Sequence, residues 1–309
     1  MVARRPDGEQ QSEDHYARSS EPHHFSARSL IWLRSAGREL TVLSLFVALS
    51  ILMTWPLAMH LDRAIRSPDD PFFTTWAMDW DYYATFHRGV HLFDADIVHP
   101  AKHALAFSEH MYGVALLFFP LFALGVPPLT IHNIALLLGF AFNGYAAFAL
   151  CRHLIVRADA ALIGGIAYAF IGFRFHHLPH LHFVWTPWLA LMLLALLRYA
   201  RMPSVSRAMW LAVALVMNGL NSLHWLVFGS IAIALTTLIV GAKWDRLKDA
   251  RFWIGIALAG FVAAVILWPF IQPYREVASL YGMRRGYSET ITNSAYWHDW
   301  LAPNLQNKL

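Results

Sequence analysis

Charge is what this sequence has least of. Only 14 % of its 309 residues are Asp, Glu, Lys or Arg, against 57 % that are hydrophobic, whereas soluble domains carry about 25 % charged residues. That deficit excludes a soluble globular domain. Cysteine is almost absent, and the single Cys151 excludes an intramolecular disulfide framework. The chain lacks a glycine-rich nucleotide-binding loop, which argues against ATP as an energy source, and no nucleophilic serine or cysteine motif stands out. A formal net charge of +4 gives no reason to invoke nucleic acid. No internal repeat and no cleavable signal peptide are visible.

What the chain has in quantity is uncharged apolar sequence, with a mean hydropathy of +0.42. Lipid offers the backbone no hydrogen bonds, so a bilayer core demands helices of about 20 apolar residues. Residues 41–59, 112–150, 184–197, 208–240 and 252–271 supply such runs, and the shorter 160–172 spans with its flanks. The expected fold class is all-α: a polytopic transmembrane helix bundle of seven or eight spans, with an extracytoplasmic first loop carrying interfacial helices.

The expected organisation follows the charges. Residues 1–37 are polar and mixed in charge and read as a disordered cytoplasmic tail. Residues 38–271 form the transmembrane domain, opened by a segment from Thr41 that acts as an uncleaved anchor. Arg28, Arg34 and Arg38 place the start of that segment inside. The loop of residues 60–111 carries eight acids against four Lys or Arg, as an external loop would. Arg198, Arg201 and Arg207 form an acid-free internal turn, and Lys243, Arg246, Lys248 and Arg251 form another. Residues 208–240 fit a helical hairpin turning near Asn218 to His224, and residues 272–309 fall outside. Parity fails at one place. If residues 112–150 are two full spans broken at Gly125, Pro127 and Pro128, then Arg152 and Arg157 lie outside, against the rule. If one segment does not fully cross, those arginines are inside and the turn near His177 joins the side of the first loop.

Within the first loop, Phe72, Phe73, Trp76, Trp80 and Tyr83 fall at near-helical spacing and make one aromatic face. Asp81 points away from it, and Asp79 and Thr75 lie at its edge. Such a helix lies in the membrane interface. Asp69 and Asp70 stand before it and Pro71 follows, a helix-start signal with Asp70 as N-cap. The alternative role for Asp70 is a carboxylate at the water–lipid boundary acting as general base.

The run Asp70-Pro71-Phe72-Phe73-Thr74-Thr75-Trp76-Ala77-Met78-Asp79-Trp80 resembles the first-loop motif of bacterial GT-C class membrane glycosyltransferases. That class includes certain lipopolysaccharide-core transferases and, more distantly, protein O-mannosyltransferases. The runs from Leu92 to Pro100 and from Ala106 to His110 fit the same pattern. The resemblance continues through Arg174, His177, His180 and Trp188, then weakly through Ser294-Ala295 and Leu301-Ala302-Pro303. It implies a polyprenyl-phosphate-sugar donor, a glycan or lipid acceptor in the cell envelope, and inverting transfer outside the cytoplasmic (inner) membrane of a bacterium. It also implies that an acidic residue of the first external loop serves as base or positions the acceptor. Asp70 matches that place best, with Asp69 next. The Asp-Asp pair replaces the Asp-Glu or Glu-Asp of the mannosyltransferases, which leaves open which carboxylate acts and whether a divalent cation bridges them. Arg174, His177, His180 and His110 are the candidates for binding the phosphate, with Trp76 among the substrate-contacting residues; Glu109 is a candidate for holding a metal or orienting His110. Full members of the class are generally longer, so the chain reads as an N-terminal half, with residues 272–309 the start of a truncated loop.

Other polar residues have blander readings. His176 and His180 have the i, i+4 spacing of a zinc pair, but Pro179 interrupts the helix and no acidic or cysteine partner is adjacent. Asn218, Asn221, Ser222 and His224 fit helix–helix glue or a hairpin turn. Arg284, Arg285, Ser288, Glu289 and the aromatic residues between Tyr296 and Trp300 fall in the last external segment. Two non-enzymatic readings compete: a transporter or lipid-flippase module, which would place ionisable groups near the midplane, and a degenerate transferase subunit.

Overall fold

A computed structural model describes residues 27–65, 69–155, 157–283, 286–292 and 294. The chain divides into two compact units, Met1–Leu45 and Phe46–Leu309. In the first, the described residues are helical from Ala27, so the expected tail to residue 37 is corrected; residues 1–26 lie outside the described residues. Gly37 and Thr41 lie one turn apart there, and the Thr41 hydroxyl donates to the Gly37 carbonyl at 2.9 Å.

All regular structure among the described residues is helical. In chain order the helices are α1 (Ala27–Met53), α2 (Asp70–Phe86), α3 (Tyr112–Ala123), α4 (Pro128–Leu154), α5 (Ala158–Ala169), α6 (Gly172–His176), α7 (Leu181–Val184), α8 (Pro187–Arg201), α9 (Val205–Asn221), α10 (Leu223–Lys243), α11 (Ala250–Leu280) and α12 (Tyr287–Thr292). Among the described residues, five stretches are long and apolar enough to cross a membrane: α4, Ala158–His176, Leu181–Arg201, α10 and α11.

The helix ends follow from local chemistry. Gly125 takes φ +74° and Pro127 and Pro128 follow, so α3 stops and α4 starts there. Ser222 is extended and its hydroxyl accepts from the His224 N–H at 3.1 Å, which breaks the chain between α9 and α10 and caps the second. The two helices lie against each other, with Ala208 and Val240 in one core cluster. The turn therefore falls where the Asn and Ser residues predict it. Helix α11 runs through Pro269 and Pro273 to Leu280, which corrects the expected end at residue 271. Residues 295–309, with Tyr296 to Trp300 and Leu301-Ala302-Pro303, lie outside the described residues, as do Arg284 and Arg285; Ser288 and Glu289 belong to α12.

Helices α4 and α5 pack along much of their length. A Cβ on Gly165 would meet the Gly144 carbonyl oxygen at 2.6 Å. Bare backbone at both positions lets the two helices approach this closely, the usual device where lipid rather than water surrounds the bundle.

Residue pairs divide the second unit into two ends. At one end Asp70 pairs with His180, Glu109 with His224 and His103 with Glu276. At the other, Arg201 lies over Trp244, Arg246 donates to the Arg201 carbonyl, and His153 is within electrostatic reach of Arg198 and Arg201. Helix α3 has 12 residues, about 18 Å, against a hydrocarbon core of about 30 Å. Its first turn packs on α9, where a Cβ on Gly113 would meet backbone atoms of Leu220 and Asn221 at 2.9 Å. Just after the α3–α4 break, Asn133 donates to the Leu61 and Ala64 carbonyls of the first loop. Both ends of the α3 excursion thus return to the first-loop end. Arg152 and His153 lie in the last turn of α4, and the His177 turn meets the first loop through His180 and Asp70.

Candidate functional site

Helix α2 starts one residue earlier than the residue pattern suggests. Asp69 holds the N-cap position, Asp70 is the first helical residue and no side chain caps the helix. The expected capping role of Asp70 is therefore not realised. Its carboxylate turns outward instead, half-exposed, and Oδ2 lies 2.9 Å from Nε2 of His180. Asp69 accepts backbone N–H groups of Phe72 and Phe73 through its carbonyl. Four of the five expected members of the aromatic face, Phe73, Trp76, Trp80 and Tyr83, contact each other in succession at ring separations of 5.7, 6.1 and 5.7 Å, while Phe72 is exposed. Trp76 thereby packs against the core beneath the loop.

The opposite face of α2 is a correction. Asp81 is completely buried, and neither carboxylate oxygen has a partner among the described residues. The side expected to be a polar back is covered, because Met78 and Tyr82 of α2 pack against the phenylalanines of α3. Burial pushes the Asp81 carboxyl well above the usual carboxylate range.

His180 follows the break at Pro179, which separates α6 from α7, so His176 and His180 do not share a helix. Among the described residues no group of three or more His, Cys, Asp or Glu could hold a metal ion. With Nε2–H donating to Asp70, Nδ1 of His180 is the lone-pair nitrogen, and it is buried. The reachable base of this pair is consequently the second oxygen of Asp70. The His177 ring meets that of His180 edge-on at 5.3 Å and lies tilted against Phe173 at 4.4 Å.

A second carboxylate–imidazole pair lies beyond. Glu109 is buried; its Oε2 accepts the Leu223 N–H at 2.9 Å and its Oε1 meets His224 Nδ1 at 2.5 Å. Burial alone would raise the Glu109 pKa, but the hydrogen bonds from His224 and Leu223 and the nearby imidazoles outweigh it, so the net shift is downward. His182 sits between the two pairs, 6.0 Å from the His180 ring and 6.4 Å from that of His224. Glu109 does not orient His110, whose Nδ1 accepts the Tyr112 N–H at 3.0 Å. His110 is fully buried among Phe93, Phe270 and Tyr274, and burial lowers its pKa to about 4.

Arg174 does not join these groups. It is 3 % exposed; its Nε donates to the Tyr168 carbonyl at 3.0 Å and its Nη1 points at the Phe183 and Val184 carbonyls at 3.4 Å. The guanidinium also lies over the Tyr168 ring. Its donors are thus turned to the protein and hold the α6–α7 turn in place. Asn221 has a comparable role, donating to the Trp185 carbonyl at 2.5 Å.

Beside the Asp70–His180 pair is a cavity of about 300 Å³ lined mostly by apolar groups. Pro71, adjacent to Asp70, and Leu178, two residues before His180, form part of its wall, with Trp55, His60, His132 and Phe175. His132 is buried and its Nε2 meets the Thr74 hydroxyl at 3.1 Å, tying the first turns of α2 and α4 together. Of the residues singled out from sequence, Asp70, His180 and His177 come together, with Glu109 linked to them through His182. Nothing in the sequence spacing of Glu109 or His224 signals that they meet.

Comparison with known proteins finds no matching family model, no matching curated protein and no matching solved structure.

Proposed function

We propose that this chain is a membrane glycosyltransferase. In this reading it transfers a sugar from a polyprenyl-phosphate donor to an acceptor hydroxyl of the cell envelope, with inversion. The observation that carries the reading is the Asp70–His180 pair at 2.9 Å beside an apolar cavity of about 300 Å³. A carboxylate with one oxygen oriented by an imidazole and the other facing outward is suited to general-base work. It takes the proton of the acceptor hydroxyl as that oxygen bonds to the anomeric carbon. The bond from the anomeric carbon to the phosphate oxygen breaks on the opposite side, and the lipid phosphate leaves. The developing phosphate charge needs donors, and His177, His182 and His224 are imidazoles close to the pair. The apolar cavity suits part of a lipid-linked substrate.

The same reading sets the membrane orientation. The basic end, with Arg198, Arg201 and Arg246, faces the cytoplasm under the positive-inside rule, and Asp70 faces the other side of a bacterial inner membrane. Counting α1 and α9 with the five apolar stretches gives seven spans, with the N-terminus in the cytoplasm.

The test is transfer from a radiolabelled polyprenyl-phosphate sugar in membranes containing the wild-type chain or Asp70→Asn. Transfer by wild type that falls by about 10²–10⁴ in the variant is expected for loss of a general base. Undiminished transfer by Asp70→Asn, at equal expression, would overturn the assignment of Asp70.

A further inference from the structure

At the end of the bundle away from Asp70, helices α8 and α9 leave a groove of about 290 Å³ between them. Its walls are mainly apolar, and Leu194 and Val213 are two of them. Arg198 and Arg207 stand at one end, on either side of the turn that joins the helices. Trp188 marks the other end, ten positions before Arg198 along α8, a distance of about 15 Å. No carboxylate lines the groove among the described residues.

The two arginines are differently held. Arg207 is anchored, with Nη1 donating to the Met202 carbonyl at 2.6 Å, which leaves its other donors for a ligand. Arg198 is exposed and carries no hydrogen bond or ion pair among the described residues. Arg201 is close by, since both arginines act on the same imidazole, that of His153. Trp210 lies three residues after Arg207, hence on the same side of α9, and is 67 % exposed. An exposed indole beside arginines is the usual marker of the headgroup level of a bilayer.

We propose that this groove binds one anionic glycerophospholipid of the surrounding leaflet. The phosphate sits between Arg198 and Arg207, and an acyl chain lies between α8 and α9 toward Trp188. A basic pair at one end of a long apolar trough matches a molecule with a single charged end and a hydrocarbon tail; a soluble anion would leave the trough empty. A zwitterionic lipid would bring a cation into a rim that already lacks any acid. The site is at the opposite end from the Asp70–His180 pair and does not depend on the transferase reading.

The test is native mass spectrometry of the purified, delipidated chain with phosphatidylglycerol, phosphatidylcholine, glycerol phosphate or polyprenyl phosphate added in turn. One phosphatidylglycerol should bind in preference to the other three. In the double variant Arg198→Gln/Arg207→Gln its affinity should fall by about thirty-fold, from the usual contribution of two basic residues near an anionic lipid surface. Val213→Trp, which keeps both arginines and fills the trough, should also weaken it. Equal binding of phosphatidylcholine, competition by glycerol phosphate at equal concentration, or preference for polyprenyl phosphate would each overturn the proposal using wild type alone. Wild-type affinity in both variants would do the same.

Discussion

Oδ2 of Asp70 and Nε2 of His180 lie 2.9 Å apart, although one opens the first-loop helix and the other follows the α6 turn. The pair separates the functions of its two members. His180→Gln keeps a donor for the carboxylate and should lower transfer far less than Asp70→Asn, by about tenfold against at least a hundredfold. Transfer rates of both variants in membranes, measured across pH, check this. Equal losses would show that the carboxylate and the imidazole act only as a unit.

Asp81 should be a liability for stability. Its folded pKa is raised by burial, so the folded chain holds a proton that the unfolded chain releases near 3.8. Stability therefore falls as pH rises above that value, until the folded pKa is reached. Asp81→Asn removes the slope and should stabilise the protein at pH 8 by at least about 1 kcal/mol. Thermal unfolding at pH 5 and pH 8 in the same detergent reads it; a variant less stable than wild type at pH 8 would show that the ionised form has a partner.

His110 predicts the reverse slope. Its pKa drops from the ordinary 6.5 to about 4 on folding, chiefly through burial, with Glu109 pulling the other way. Between those values the unfolded chain binds the extra proton, so stability is lost as pH falls through this window and levels off below it. The full loss is about 3 kcal/mol. His110→Gln should make the profile shallower between pH 6.5 and 4 by that amount, as urea titrations across that range would reveal.

Arg174 should act on folding and not on donor use. Removing its guanidinium leaves the carbonyls of Tyr168, Phe183 and Val184 without that donor. Arg174→Ala is expected to cost about 3 kcal/mol, seen as a lower unfolding temperature, with the KM for the lipid-linked donor unchanged in the fraction that folds. A specific rise in that KM, at wild-type stability, would return Arg174 to the binding site.

What the sequence made legible were features set by neighbours along the chain. The break at Gly125, Pro127 and Pro128, the turn at Ser222 and the stripe from Phe73 to Tyr83 each follow from local backbone or spacing rules. Asp81 was readable as lying off that stripe, but its burial depends on the phenylalanines of α3, which periodicity within α2 cannot register. The end of α11 was set too early because Gln272 and Pro273 interrupt the apolar run. Within a packed membrane helix, neighbouring groups accommodate such a proline, and Pro273 is buried here. For the candidate site, the acidic residue and the histidine-rich turn were visible as separate motifs. Their meeting, and that of Glu109 with His224, depends on contacts between distant parts of the chain.

These long-range pairings also set an order of assembly during synthesis. Asp70 and Glu109 belong to the first loop, yet their partners His180 and His224 emerge much later, and His103 waits for Glu276 at 2.8 Å on α11. While the early helices enter the bilayer, the loop has Asp70 and Glu109 but not the imidazoles that hold them. It becomes a fixed surface only when α11 has been inserted. A ribosome stalled before that point would carry a membrane-inserted intermediate whose first loop is still open to proteases, and release of the stall would close it.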